Sequence, residues 1–213
     1  MYRNILKPIF FLFPPERAHS LAMGCLQFFC RLRFLQKTFS FFFKIENSLL
    51  EVNTLGLKFK NPIGLAAGFD EDANYVDGIS VLGFGFIELG TVTPKPQSGN
   101  DKPRLFRLPK SLALINRMGF NNKGVHNMVI QLQKKRADKT VIIGGNIGKN
   151  KITPNESATS DYLLCFDALF DYVDYFTINI SSPNTPHLRA LQEKEPRSCK
   201  HRRGCLMSVR IFE

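Results

Sequence analysis

The segment TINISSPNTP, residues 177–186, carries five short polar side chains directly after an apolar, β-branched run. Thr177, Ile178 and Ile180 read as the end of a buried strand, and Asn179, Ser181, Ser182, Asn184 and Thr185 crowd around Pro183. Such side chains offer hydrogen bonds at one place. A serine among them acts as a base only where a positioned neighbour or water takes its proton onward. Three other apolar runs end in the same manner, at Gly68-Phe69-Asp70, at Gly90-Thr91 and at Asn146. Ala66, Ala67 and Gly68 are small enough for a ligand to approach the backbone closely. Tight packing of a strand on a helix asks for the same residues. One asparagine in a turn is ordinarily a turn residue. Asn116, Asn146, Asn179 and Asn184, all at strand ends or in adjoining loops, call for a further account.

The elements that position these residues are legible in outline. LLEVNTLGLKFKNPIGLAAG, from residue 49, alternates and carries turn residues, so it predicts a short hairpin running into a buried strand near Pro62–Ala67. A helix follows over Asn74–Leu82, then a strand over 84–90. Residues 91–109 form a long Pro/Gly/Asn-rich loop of the kind that is usually functional. Next come a helix over 124–137, a strand over 140–148, a helix over 157–173 with Ser157 as its N-cap, and a strand over 175–181. Apolar strands alternating with helices mean a parallel sheet covered by helices. A doubly wound sheet would normally carry a Gly-rich turn after its first strand, and GLAAGFDED is not GxGxxG. Polar residues at the end of every strand fit a β/α barrel, whose sites sit at that face.

The 213 residues carry a net charge of +11. Residues 1–44 hold seven Lys/Arg against one Glu, and residues 197–213 hold five against one, so the middle is near neutral. That distribution argues against a nucleic-acid face on the main domain. The cysteines (Cys25, Cys30, Cys165, Cys199 and Cys205) form no CxxC and fit no zinc spacing, so no metal site is expected and they read as reduced thiols. ILKPIFFLFPP is apolar but short and has no cleavage site after it, which excludes a secretory signal. Beyond it, Leu21, Cys25, Phe28, Leu32, Leu35 and Phe39 recur at steps of three and four, predicting one or two helices. Arg31, Arg33 and Lys37 interrupt the pattern, so it cannot span a bilayer. Ten of the 20 phenylalanines lie before residue 44. An aromatic, basic, amphipathic segment suits a helix in the membrane interface. Periodicity alone suits a helix packed on its own domain equally well.

NPIGLAAGFD, GFGFIELGTVTPKPQSGNDKPRLFRLP, INRMGFNNKG, NIGKN and NISSPNTP occur in this order, preceded by PPERAH. The ordered set resembles the quinone-dependent, membrane-bound class of dihydroorotate dehydrogenases over about residues 1–196. The resemblance implies the N-terminal half of a β/α (TIM) barrel over residues 47–196, preceded by a small helical membrane-associating domain over 1–46. It implies FMN as cofactor, and oxidation of dihydroorotate to orotate in pyrimidine (UMP) biosynthesis. It also implies ubiquinone as electron acceptor and peripheral attachment to the cytoplasmic side of the inner (plasma) membrane. It places Ala66, Ala67 and Gly68 under the flavin and gives flavin or substrate hydrogen bonds to Thr91, Asn116, Asn146 and Asn179. Asn116, Arg117, Met118, Gly119 and Phe120, with Asn179 and Asn184, match the orotate pocket. His19 and Arg107 match a quinone tunnel. Ser182 matches the catalytic base, where the cytosolic class has cysteine, which supports the quinone-dependent class.

Two departures stand out. The resemblance expects a lysine touching flavin and substrate carboxylate after GFD, and the chain has Glu71 and then Asp72. An attractive pair would become a repulsive one. After Pro196 the resemblance stops, and RSCKHRRGCLMSVRIFE shows no period. Residues 197–213 read as a frameshifted segment more readily than as a divergent terminus. From Leu50 to Pro196 the chain runs 147 residues and four strands, against roughly 250 residues for a whole barrel. The reading from the sequence is therefore this enzyme, or a catalytically inactive remnant of it.

Overall fold

A computed structural model describes residues 2–134 and 141–192. The chain begins as a π-helical turn, Tyr2–Leu6, that continues into helix α1 (Lys7–Phe11). Pro14 and Pro15 break it, and α2 (Pro15–Cys30) starts with proline at its first position and Glu16 in its first turn. α2 buries Ala18, Met23 and Cys30. Leu32 is extended, which separates α2 from α3 (Arg33–Phe43). The predicted helical segment is thus two helices. Large apolar side chains face outward on them: Phe34, Phe41 and Phe42 are 77%, 82% and 74% exposed. Among the described residues no helix is long and apolar enough to cross a membrane.

The hairpin forms as expected, with β1 (Val52–Thr54) antiparallel to β2 (Leu57–Phe59). Leu55 and Gly56 both have positive φ, 54° and 74°, as a two-residue hairpin turn with right-handed strand twist requires. Then come β3 (Gly64–Leu65), α4 (Val76–Ser80) and β4 (Phe86–Val92). Between β4 and the next helix, β5 (Leu105–Leu108) pairs antiparallel with β6 (Ala113–Asn116). This corrects the reading of 91–109 as loop throughout. The four-residue strand sits between Pro103 and Pro109, and the density of turn residues hid it. Next follow α5 (Val125–Gln133), β7 (Ile142–Ile147), α6 (Ala158–Leu169) and β8 (Tyr175–Ile178).

β3, β4, β7 and β8 form one parallel sheet in that order. Each later parallel strand joins on the same side of the last, without the reversal of order that marks a doubly wound sheet. This is the winding of a β/α barrel. Ile87, Leu89 and Val92 of β4 and Ile147 of β7 pack against Val76, Ile79, Met128, Cys165 and Leu169 in one buried cluster. On the opposite face Gly144 makes room for Tyr175, because a Cβ there would lie 2.2 Å from the tyrosine ring. Ser157 does not cap α6; a 3₁₀ turn, Asn155–Ser157, leads into the helix and no side-chain cap bond forms. The end of the predicted 124–137 helix, Thr140, Cys199, Cys205 and the whole 197–213 segment lie outside the described residues.

Candidate functional site

The strand ends carry a directed hydrogen-bond chain. Period two along β4 turns Ile87 and Leu89 to the helices and Glu88 to the other face. Asn179 Nδ2 donates to Thr91 Oγ1 at 2.9 Å, and the Thr91 hydroxyl donates to Asn146 Oδ1. Asn146 Nδ2 donates to Glu88 Oε1 at 2.7 Å. Glu88 Oε2 accepts from Tyr175 at 3.1 Å and from Thr177 at 3.0 Å. The chain links β4, β7 and β8, and its donors all point toward one carboxylate, an arrangement in which each bond polarises the next. Tyr162 of α6 holds the far end by donating to the Asn179 carbonyl at 3.0 Å. Gly68 N–H donates to the Gly90 carbonyl at 2.7 Å, tying the ends of β3 and β4. Gly68 has φ 91°, and the space where its Cβ would stand is open.

Two loops distant in sequence meet beside this chain. Asn116, at the end of β6, accepts at its carbonyl from Asn184 Nδ2 at 3.1 Å. Its side chain accepts from the Met118 amide at 2.9 Å. Asn100 Nδ2 donates to the carbonyls of Arg117 at 3.0 Å and Asn184 at 3.1 Å. Gly119 has φ 77°, and a Cβ would lie 2.8 Å from the Asn100 side chain, so any other residue would be strained and would push Asn100 aside. The Phe120 carbonyl accepts from Asn122 at 2.7 Å and Gln97 at 3.0 Å. Ser182 Oγ accepts from the Asn184 amide at 3.3 Å.

A cavity of about 730 Å³ lies between α1–α2, the loop that follows β3 and the β5–β6 hairpin, with Gly68, Asn116 and Met118 in its lining. His19 meets Phe69 edge to face at 4.7 Å. Burial lowers the pKa of His19, which favours the neutral ring. Arg107 donates to the carbonyls of Phe13 at 2.7 Å and Phe10 at 3.3 Å, and stacks 4.5 Å over Phe11. It thereby closes the end of α1 as well as lining the cavity. Glu71 lines it too and accepts from Asn121 Nδ2. Burial, then the charge of Asp72, push the Glu71 carboxyl up to about 8. No ion pair to Glu71 forms among the described residues. The carboxyl is therefore largely protonated at neutral pH, and the departure from lysine removes an attraction without installing a full negative charge.

The residues singled out from sequence thus fall into three neighbouring groups. Thr91, Asn146 and Asn179 share the directed chain. Asn116–Phe120, Ser182 and Asn184 share the two loops. His19, Arg107 and Gly68 line the cavity. Ala66 and Ala67 follow β3 directly, and Ala66 is exposed. Sequence reasoning missed Glu88, Asn100 and Arg104. Glu88 carried a signal, since it is the one charge in the apolar run FIELG. Asp70, read from sequence only as part of a strand end, is 2% exposed, accepts from the amides of Asn74 at 2.8 Å and Tyr75 at 2.7 Å and so starts α4.

Similar proteins agree with this architecture. The chain is 56% identical over 196 residues to a dihydroorotate dehydrogenase (quinone) of Christiangramia forsetii, covering 92% of this chain and 57% of that protein. It is 50% identical to the one of Shewanella denitrificans, covering 90% and 55%. The crystal structure of DHODH from Eimeria tenella in complex with ferulenol matches with TM-score 0.70 and 40% identity, over 84% of this chain and 46% of that one. The chain thus spans little more than half the length of these curated relatives, and its β/α sheet is the N-terminal half of a β/α barrel. A family model described as dihydroorotate dehydrogenase matches residues 49–200, and with it the chain belongs to the dihydroorotate dehydrogenase family.

Proposed function

We propose that the protein serves the FMN-dependent oxidation of dihydroorotate to orotate in pyrimidine biosynthesis, with electrons passed to ubiquinone. The observation that carries this reading is the convergence of the Thr91–Asn146–Asn179 chain and the Asn116–Asn184 loop pair on one strand-end face. The residues present suit a flavin. Gly68 leaves open backbone beside the cavity, and Thr91, Asn146 and Asn179 supply amide and hydroxyl partners for a planar polar ring. Ala66, Ala67 and Gly68 would lie under the ring. FMN, when bound, supplies the hydride acceptor.

The chain's own residues do the rest. Asn116, Arg117, Met118, Gly119 and Phe120, with Asn179 and Asn184, orient the substrate ring. Ser182 takes the proton from the ring carbon beside the carbonyl. Its hydroxyl is a poor base at its free pKa and must pass that proton onward. His19 and Arg107, which line the cavity beside α1 and α2, receive the quinone. Residues 1–46 act as the helical unit that seats the protein peripherally on the cytoplasmic side of the inner membrane, and residues 47–196 as the flavin-binding unit. The exposed Phe34, Phe41 and Phe42 support that seating. Glu71 favours a second reading, a family member that no longer holds the anionic substrate.

A chimera of residues 1–192 with the remaining half of the Christiangramia forsetii relative tests both readings. It is expected to reduce a soluble quinone analogue at the expense of dihydroorotate, most strongly with Glu71→Lys. Ser182→Ala should then lower turnover by roughly 10²–10⁴-fold with little change in orotate affinity. Unchanged turnover removes Ser182 from its role. No turnover even with Glu71→Lys favours the second reading.

A further inference from the structure

Arg104 is 5% exposed, yet it belongs to a surface loop. Its Nε and Nη2 donate to Oε1 and Oε2 of Glu16, each at 3.0 Å. Glu16 stands in the first turn of α2, and Lys102 approaches the same carboxylate at 3.5 Å. The hydrogen bonds from Arg104 hold the Glu16 carboxyl below its ordinary pKa. The remaining edge of the guanidinium, Nη1, donates to the carbonyls of Ser98 and of Asn100, the latter at 3.1 Å. A bidentate, charge-assisted fork of this kind fixes direction as well as distance.

The loop it grips leads straight to the strand-end face. The Arg104 carbonyl accepts from the Arg117 amide at 2.8 Å, and the Asn100 amide donates to the Met118 carbonyl at 2.8 Å. Asn100 Nδ2 holds Arg117 and Asn184. Between them Gly99 has φ 75°, and a Cβ would lie 2.4 Å from the Met118 carbonyl and 2.8 Å from Arg104 Nη1. The loop is closed so tightly on both partners that residue 99 admits no side chain.

We infer that the Glu16–Arg104 clasp sets the place of Asn100 and, through it, of the Asn116–Phe120 and Ser182–Asn184 loops. Glu16 and Arg104 are then positioning residues, Glu16 acting through the fork and Arg104 through its own bonds to the loops. Seating of α2 and order in the two polar loops become one coupled event. The inference concerns the loops themselves and stands whatever ligand they take, so its test uses none.

Hydrogen–deuterium exchange on the full chain reads it directly. The reporters are the amides of Asn100 and Arg117. The controls are the amides of Gly148 and Asn179, which bond to Val92 and Ile147 within the sheet. Glu16→Ala is expected to speed exchange at the reporters roughly tenfold, as loss of charge-assisted bonds should, and to leave the controls unchanged. Glu16→Gln, which keeps one acceptor for the guanidinium, should fall between it and wild type. Arg104→Lys keeps the charge but not the fork, and should speed the reporters at least as much as Glu16→Ala. Adding Glu16→Ala to Arg104→Lys should then change nothing further. Reporters that stay at wild-type rates in Glu16→Ala while only α2 loosens would overturn the inference, as would equal acceleration at the controls or an additive double variant. If Arg104→Lys fails to fold, the two substitutions at half-buried Glu16 still decide the matter.

Discussion

Glu71 is a carboxyl whose proton affinity lies far from its ordinary value. Its carboxyl is raised from 4.5 to about 8, with burial as the first cause and the charge of Asp72 as the second. Around it stand Glu16 and His19 of α2, Asp70 and Asp72 of its own loop, Lys123, and Arg104 and Arg107 on the β5 side. Arg104 is committed to Glu16 and two carbonyls. Between pH 4.5 and about 8 the folded chain holds a proton that the unfolded chain has released. Stability from this group is therefore fully present below pH 4.5 and is lost as pH rises through about 8, by at most about 1.4 kcal/mol per pH unit. Urea unfolding from pH 5 to pH 9 should show that decline, and Glu71→Gln should flatten it. A slope that survives Glu71→Gln would assign the decline to another group. Thr91 tests the directed chain, since it donates to Asn146 and accepts from Asn179 while only 6% exposed. Thr91→Val keeps the shape and leaves two amide groups short of partners, at a cost of about 1–3 kcal/mol in urea unfolding. A loss below about 0.5 kcal/mol, the usual range for a surface change, would show the chain to be dispensable.

At the scale of elements, the N-terminal helices and the sheet pose different problems. α2 and α3 expose Phe28, Phe34, Phe41 and Phe42 beside Arg31 and Lys37. Full burial of a phenylalanine is worth about 1.5–3 kcal/mol, and nearby cations add attraction to anionic lipid. The chain should therefore float with anionic liposomes, and Phe34→Ser/Phe41→Ser/Phe42→Ser together should leave most of it in the soluble fraction. Equal flotation of wild type and triple variant would refute the helical attachment. The sheet was legible beforehand because β4 and β7 are apolar runs that stop at polar residues, a pattern that period and length both mark. The β5–β6 hairpin was not, because its short strands lie among prolines and pair outside the main sheet, where burial writes no period. Ser157 misled for a related reason. A serine before a helical run signals a cap only if the backbone leaves it free, and here it is the last residue of a 3₁₀ turn. At the site, the asparagines were legible as types at strand ends. Their partners Glu88 and Asn100 were not, because those bonds join positions 58 and 84 residues apart, and neither was Arg104, whose partner Glu16 is 88 residues away.

At the scale of the whole molecule, the described sheet has β3 at one edge and β8 at the other, each with a single strand neighbour. In a closed barrel neither edge exists, and the inner face is filled by side chains from all around the ring. Here that face shows an apolar cavity of about 210 Å³ beside Phe86, Tyr175 and Phe176, next to the β1–β2 hairpin. Open edges invite pairing with another chain, and an uncovered apolar face invites association. On the function proposed above, Thr91, Asn146 and Asn179 would partner the flavin ring. The phosphate site of such barrels commonly lies after the seventh and eighth strands, and the parallel sheet described here has four. Each charge-assisted bond absent from the cofactor is worth roughly 1.5–3 kcal/mol, so lacking several removes tight binding. A polypeptide of these 213 residues expressed by itself should then lose FMN on gel filtration after incubation in excess, while the chimera with the relative's remaining half keeps it. Absorbance in the flavin band of the filtered protein reads the difference. A yellow 213-residue polypeptide with near-stoichiometric FMN would overturn the expectation. Sedimentation would then ask whether two copies have joined their open edges, because only a second sheet could supply the missing wall of the site.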